Sequence, residues 1–148
     1  MCHTVSGKMA RTRTFRLPDE LLASLEERAR DRGDSANALA ERLLEEGLRR
    51  DRHPLIDFWD SAAGRRAMVL GTRLEVGQVI DTWLLSDKSV TQTAEYFEIP
   101  QAKIQAAVSY YAEFQEEIDE WRERKQEFAD REYEAWRTGQ ALLTWGCS

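Results

Sequence analysis

The stretch RTRTFRLPDELLASLEERARDRG, residues 11–33, sets a short alternating segment against an amphipathic helix pattern, with only Leu17-Pro18 between them. In Thr12-Arg13-Thr14-Phe15-Arg16-Leu17 the alternation puts Phe15 and Leu17 on one face and Thr12, Thr14 and Arg16 on the other, which predicts a half-buried strand. Pro18 suits a first helical turn, and Asp19 and Glu20 favour the positive end of a helix dipole. Leu21, Leu22, Leu25 and Ala29 then recur at helical spacing until Gly33 ends the run. A second helix follows, with Ser35 as its predicted N-cap. Leu39, Ala40, Leu43, Leu44 and Leu48 form its apolar stripe, and Arg49-Arg50 lie at its negative end.

One strand and two helices in about forty residues cannot close a core, and the strand would be left as an open edge. The economical completion is a second copy of the chain. Two copies about a two-fold axis would pair residues 12–17 as an antiparallel ribbon, bury both sets of Phe15 and Leu17 beneath four helices, and leave Thr12, Thr14 and Arg16 outside. The expected state is a homodimer or a higher even-numbered oligomer.

Through R-T-F-R-L-P-D-E-L-L and G-D-S-A-N-A-L-A-E-R-L-L, residues 11–50 resemble the ribbon-helix-helix family of bacterial repressors and antitoxins. The resemblance implies that the ribbon enters the DNA major groove with Thr12, Thr14 and Arg16 facing the bases. It also implies that the second helix grips a phosphate near Ser35 and Asn37. The chemistry fits, since Arg can donate two hydrogen bonds to guanine and Thr can meet a base edge or a thymine methyl. Arg13 departs from the family, which prefers an aliphatic residue at that inward position. Without DNA, the same unit would serve as a dimerisation module alone.

Charge divides the chain. Its formal net charge of -6 splits into about +1 over residues 1–53 and -7 over residues 54–148. The first part can meet a polyanion, and the second would be repelled by one unless its surface is locally arranged. The expected domains are a disordered tail over 1–10, a dimerisation and DNA-binding unit over 11–50, a link over 51–54 and a helical domain over 55–148. No apolar run is long enough to span a membrane, and MCHTVSGKMA lacks the apolar centre of a secretory signal, so the expected location is the cytoplasm. Cys2 and Cys147, at opposite ends without metal-ligand spacing, are expected as incidental thiols. His53 is expected at the surface, because the other histidine, His3, lies in the tail.

Beyond the link, Leu55-Ile56-Asp57-Phe58 and Ala67-Met68-Val69-Leu70 read as short strands, and Gly71-Thr72-Arg73 as a turn leading into Leu74-Glu75-Val76. Helices are predicted from Gly77 to Leu85 and from Val90 to Phe97, then a long one from Gln101 to about Arg137, about 55 Å in length. The middle pair carries helix-turn-helix spacing, with Ala94 small at the crossing, Ile99 in the turn and Ile104 packing back; Glu98 stands where a glycine often sits. The acid surplus, and a face offering only Gln101, Lys103 and Gln105, argue against that pair as a DNA reader.

The segment from A-M-V-L-G-T-R-L-E-V to A-A-V-S-Y-Y-A-E-F-Q-E-E-I, within about residues 53–118, resembles a bacterial family known as domain of unknown function 433. Its recognisable elements are Gly71-Thr72-Arg73, Ser89-Val90, and Ala106-Ala107 with Tyr110-Tyr111. The resemblance implies an antitoxin that neutralises a PIN-like nuclease toxin, and it supplies no catalytic residue to carry over.

On the last helix Phe114, Ile118, Trp121 and Phe128, with Ala135 or Trp136, recur about every seven residues among charges that include Arg122, Arg124 and Arg131. Such a seam suits a groove in another protein or the same helix in a second copy, or else it folds back onto residues 55–85. Opposite charge would allow Arg122, Arg124 or Arg131 to occupy the carboxylate-rich metal site of a nuclease. No Ser/His/acid set or metal-binding carboxylate-histidine group is present, Asp57 and Asp60 read as loop and turn residues, and Gly64, Gly71 and Gly77 are too scattered to cradle a phosphate. The expectation is a mainly α protein with short strands: a ribbon-helix-helix with an intermolecular two-stranded sheet, then a small hairpin and a helix-turn-helix-like bundle with a long terminal helix. Its expected function is that of a type II antitoxin without cofactor or catalysis. The alternative is a stand-alone dimeric regulator whose C-terminal half oligomerises or senses a ligand.

Overall fold

The computed structural model of the chain describes residues 9–61 and 64–145. The expectations for Cys2, His3, Cys147 and the first eight residues of the tail fall outside them. Among the described residues the protein is mainly helical, with six helices and one two-stranded antiparallel sheet. No helix among them is long and apolar enough to cross a membrane. The chain divides into two compact units, Met1–Leu44 and Glu45–Ser148, so the division falls inside the second helix and not at a link after residue 50.

In the first unit residues 9–18 form no regular element, and among the described residues none pairs with 12–17. Helix α1 spans Asp19–Arg32, one residue later than a first-turn proline would give: Pro18 is the N-cap, and its carbonyl accepts from the amides of Leu21 and Leu22. Gly33 ends α1 in the left-handed region at φ 70°, where a side chain would be strained. Helix α2 spans Ala36–Arg52. The Ser35 hydroxyl accepts from the Ala38 amide at 3.1 Å, the predicted cap.

The second unit opens with the end of α2, which runs on to Arg52. The expected link over 51–54 is therefore shorter, because a proline at 54 disfavours helix only in the residue before it. Strands β1 (Ile56–Ser61) and β2 (Gly64–Val69) pair antiparallel, with Ile56 opposite Val69 and Phe58 opposite Ala67, so both pairs turn into the core. The Gly71 turn, at φ 74°, is fixed by Thr72, whose hydroxyl donates to the Val69 carbonyl and accepts from the Leu74 amide. Helices α3 (Val76–Leu85), α4 (Val90–Phe97) and α5 (Gln101–Glu113) follow, and Ser89 caps α4 through the Gln92 amide. Val76, Val79 and Ile80 from α3, Ala94 from α4, and Ile104, Ala107 and Tyr110 from α5 form the core against the hairpin.

The predicted helix from Gln101 to Arg137 is two helices. The first ends at Phe114, and α6 spans Gln115–Trp145. No proline or glycine stands there. The Phe114 ring is instead drawn into a cluster, 4.6 Å from the Tyr110 ring and 6.1 Å from His53, with the Arg49 guanidinium 4.0 Å above it. The change of direction seats Ile118 in the core, where it is 4% exposed. Helix α6 has 31 residues and is therefore about 46 Å long.

Candidate nucleic-acid and partner interfaces

In the first unit Thr12, Thr14, Arg16, Ser35 and Asn37 are all exposed, so each predicted DNA-contacting side chain is open to a ligand. Of the apolar side chains described there, Ala29 and Leu39 are buried. Phe15 is 60% exposed, and Leu17, Leu21, Leu22, Leu43 and Leu44 are exposed with it. Leu21, Leu25, Leu39 and Leu43 line a concavity of about 180 Å³ rimmed by Ser24, Arg28 and Arg32. Exposed apolar area of this extent in so small a unit marks an interaction surface.

In the second unit the residues at the end of α2 are clamped by ion pairs. Both oxygens of the buried Glu46 accept from Arg65, at 2.6 and 2.7 Å, and these bonds, outweighing desolvation, raise the pKa of Arg65. Arg50 holds Asp57 at 2.8 Å. Burial pushes the Asp57 carboxyl up, but bonds from the Phe58 backbone, Arg50 and Trp59 leave it below its usual value. His53 is not the expected surface residue: its ring faces Tyr110 edge-on, and its Nε2 lies 2.8 Å from Glu113.

The aromatic seam divides. Phe114, Ile118 and Trp121 lie within the second unit, so their assignment to a partner is corrected: the folded-back alternative holds for this part. The Trp121 indole donates to Glu75 at 3.1 Å and lies 3.7 Å beneath the Arg66 guanidinium, which also pairs with Glu75. Arg122 is likewise engaged, bonding Asp81 at 2.6 Å and Asp119 at 2.8 Å. Burial lowers its pKa, but those two carboxylates outweigh it and the net shift is upward. A guanidinium held this way cannot enter another protein's metal site without breaking both pairs. Arg124 is exposed and loosely paired with Glu120 at 3.8 Å. Among the described residues Arg131 has no carboxylate partner, only a bond to the Glu127 carbonyl.

Past Lys125, which lies 3.9 Å from Glu75, the seam continues in the open. Phe128 is 62% exposed and Trp136 59%, and Tyr133, Leu142, Leu143 and Trp145 are exposed as well. The helix runs past the Arg137 end expected from the sequence and carries Leu142 and Leu143 beyond it. Heptad spacing carried on from Phe128 and Trp136 reaches both. Between α3 and α6 lies an open groove of about 730 Å³ bordered by Asp81, Leu84, Leu85, Asp119 and Glu123. No group of His, Cys, Asp or Glu among the described residues is placed to hold a metal ion.

No family model matches the chain, and no curated protein or solved structure matches it. The geometry defines a helical chain with an exposed apolar face on its first unit and a projecting, partly apolar helix on its second.

Proposed function

We propose that the chain is a dimeric DNA-binding antitoxin of the type II class, which represses its own operon and masks a PIN-like nuclease. The observation that carries this reading is the apolar face of the first unit. A segment that exposes Phe15, Leu17, Leu21, Leu22, Leu43 and Leu44 while burying Ala29 and Leu39 is stable only when another surface covers it. A second copy supplies that cover in a ribbon-helix-helix: residues 12–17 pair across the two-fold axis, Phe15 and Leu17 go inward, and Thr12, Thr14 and Arg16 face the major groove. Ser35 and Asn37, at the start of α2, stand where a phosphate meets free helix amides.

The far half of α6 is the toxin-binding element. Phe128 and Trp136 act as aromatic anchors, and Arg131 is the basic side chain free to meet the nuclease carboxylates. The helix-turn-helix-like bundle of α3, α4 and α5 is the platform from which α6 projects.

Two measurements test this reading. Phe15→Glu should raise the dimer dissociation constant by about a hundredfold or more in sedimentation, since burying two phenyl groups contributes about 3–6 kcal/mol. Arg16→Ala should weaken binding to the DNA upstream of the reading frame by about 1–3 kcal/mol with the dimer intact. A wild-type monomer, or a chain that fails to capture the product of the adjoining reading frame on co-expression, refutes the antitoxin assignment.

A further inference from the structure

The stretch from Lys88 to Ala112 differs in charge from the rest of the acidic second unit. On α5 the exposed residues Gln101, Ala102, Gln105, Ser109 and Ala112 share one face about 100° wide with no carboxylate between Gln101 and Ala112; the exposed Glu113, paired with Arg52 and His53, stands at its C-terminal edge. The two acidic residues of the stretch are Glu95 and Glu98, at the C-terminal end of α4.

The cations around that face are also distinctive. Arg49, Arg50, Arg52, Arg65, Arg66 and Arg122 all pair with carboxylates. Among the described residues Arg73, Lys88 and Lys103 have no such partner; Lys88 lies 5.8 Å from the Trp83 ring. A Cβ on Gly71 would stand 3.2 Å from the Lys103 ammonium, which puts Lys103 beside the turn that carries Arg73. Lys88 precedes the Ser89 cap of α4.

The backbone presents this face in a particular way. Glu98 takes the left-handed conformation at φ 56°, and the Ile99 amide donates to the Ala94 carbonyl, so the chain turns through three residues from α4 into α5. Ala94 and Ile104 are buried at the contact, and α3 packs across both helices. The exposed start of α5 therefore stands clear of its own domain, as the second helix of a DNA-reading pair does.

We propose that the α4–α5 pair is a second contact with duplex DNA. Gln101 and Gln105 read base edges in the major groove, Ala102 makes room for the bases, and Arg73, Lys88 and Lys103 meet the flanking phosphates. Glutamine can bond adenine through two atoms, and cations without a carboxylate partner are the ones free to release counterions from DNA. Most of the acid surplus that argued against DNA contact in the sequence lies elsewhere, on α6 and in the pairs that lock the hairpin, while Asp87, Glu95, Glu98 and Glu113 border the α4–α5 pair. The proposal does not depend on the ribbon reading, and either can fail alone.

The test uses the full chain and the duplex immediately upstream of its own reading frame, as DNA and as the corresponding RNA duplex. Gln101→Ala/Gln105→Ala should loosen DNA binding by about tenfold, with melting temperature and oligomeric state unchanged. Lys103→Glu should loosen it and flatten its dependence on salt. A photo-crosslinking residue at Ser109 should label the DNA. Unchanged affinity in both variants together with no crosslink overturns the proposal, as does a wild-type chain that binds neither duplex or prefers the RNA. Loss with Arg16→Ala alone leaves the ribbon and removes this site; loss with the α5 variants alone does the reverse.

Discussion

The Arg49 guanidinium donates to both carboxylate oxygens of Glu117, at 3.0 and 2.9 Å, and so ties the end of α2 to the first turn of α6. The same side chain bonds the Tyr110 hydroxyl at 2.7 Å and Glu45 at 2.6 Å, and it covers the Phe114 ring at the break between α5 and α6. One planar group therefore fixes where α6 starts. Arg49→Met keeps the stem and removes the fork, and it should cost about 2 kcal/mol in urea unfolding of the second unit. Arg49→Lys should recover less than half of that, since one ammonium cannot span three partners. An unchanged midpoint for Arg49→Met would show that the pair adds nothing to stability.

Gly77, in the first turn of α3, faces α6. A Cβ there would stand 3.3 Å from Cγ of Arg122 and 3.4 Å from Cδ1 of Trp121. The first neighbour is a flexible stem able to move by a few tenths of an ångström, so Gly77→Ala should be near neutral, helped by up to about 1 kcal/mol of helix propensity. Gly77→Val adds branches against the indole and should destabilise by about 1–3 kcal/mol in a thermal melt. A tolerated valine would mean that α6 is not seated on α3 as described.

The hairpin and the helices α3 and α4 are legible in the sequence, because alternation at Ile56–Phe58, the Gly71 turn and the Ser89 cap are local signals acting on neighbours. The break at Phe114 is not, since it arises from His53, Tyr110 and Arg49 drawing the ring inward from other elements. The seam on α6 is legible as a period but not in its division. Identical spacing serves Ile118, buried in its own unit, and Phe128, open beyond it, and only the extent of the domain beneath separates them. The exposure of Thr12, Thr14 and Arg16 is legible in the alternation and the structure shares it, while the strand predicted over 12–17 is not formed in the single chain.

Tyr110 supplies a pH signature. The phenol is 0% exposed, and burial, with the field of Glu117, pushes its pKa from 10.0 up to about 12 against the lowering effect of Arg49. The folded state thus holds the proton more tightly than the unfolded chain. The contribution is complete below pH 10.0, declines as pH rises towards about 12, and amounts to about 2–3 kcal/mol lost beyond that. Ultraviolet titration should show one tyrosine ionising near pH 12, and Tyr110→Phe should remove that step and flatten the alkaline loss of stability. Arg49→Met should delay the step further, because it removes the cation that favours the phenolate. Ionisation of Tyr110 at the ordinary value would place the ring in water.

The length of α6 sets the last prediction. Its inner turns are held by Ile118 in the core, by Trp121 on Glu75 and by Lys125, while from Phe128 to Trp145 its large apolar side chains are exposed. A helix whose far half touches little of its own domain should be separable from that domain's stability. Ending the chain after Gln126 should therefore change the unfolding free energy of the second unit by no more than about 0.5 kcal/mol. On the proposed antitoxin reading, the same truncation should abolish capture of a nuclease from the adjoining reading frame. Phe128→Asp with Trp136→Asp in the full-length chain should weaken capture by about a hundredfold or more, because central aromatic anchors each contribute about 2 kcal/mol or more to an interface. A truncated chain that melts far lower would place the distal half against its own unit. One that captures the nuclease as well as the full chain does would move the partner surface elsewhere, with the groove between α3 and α6 as the next surface to alter.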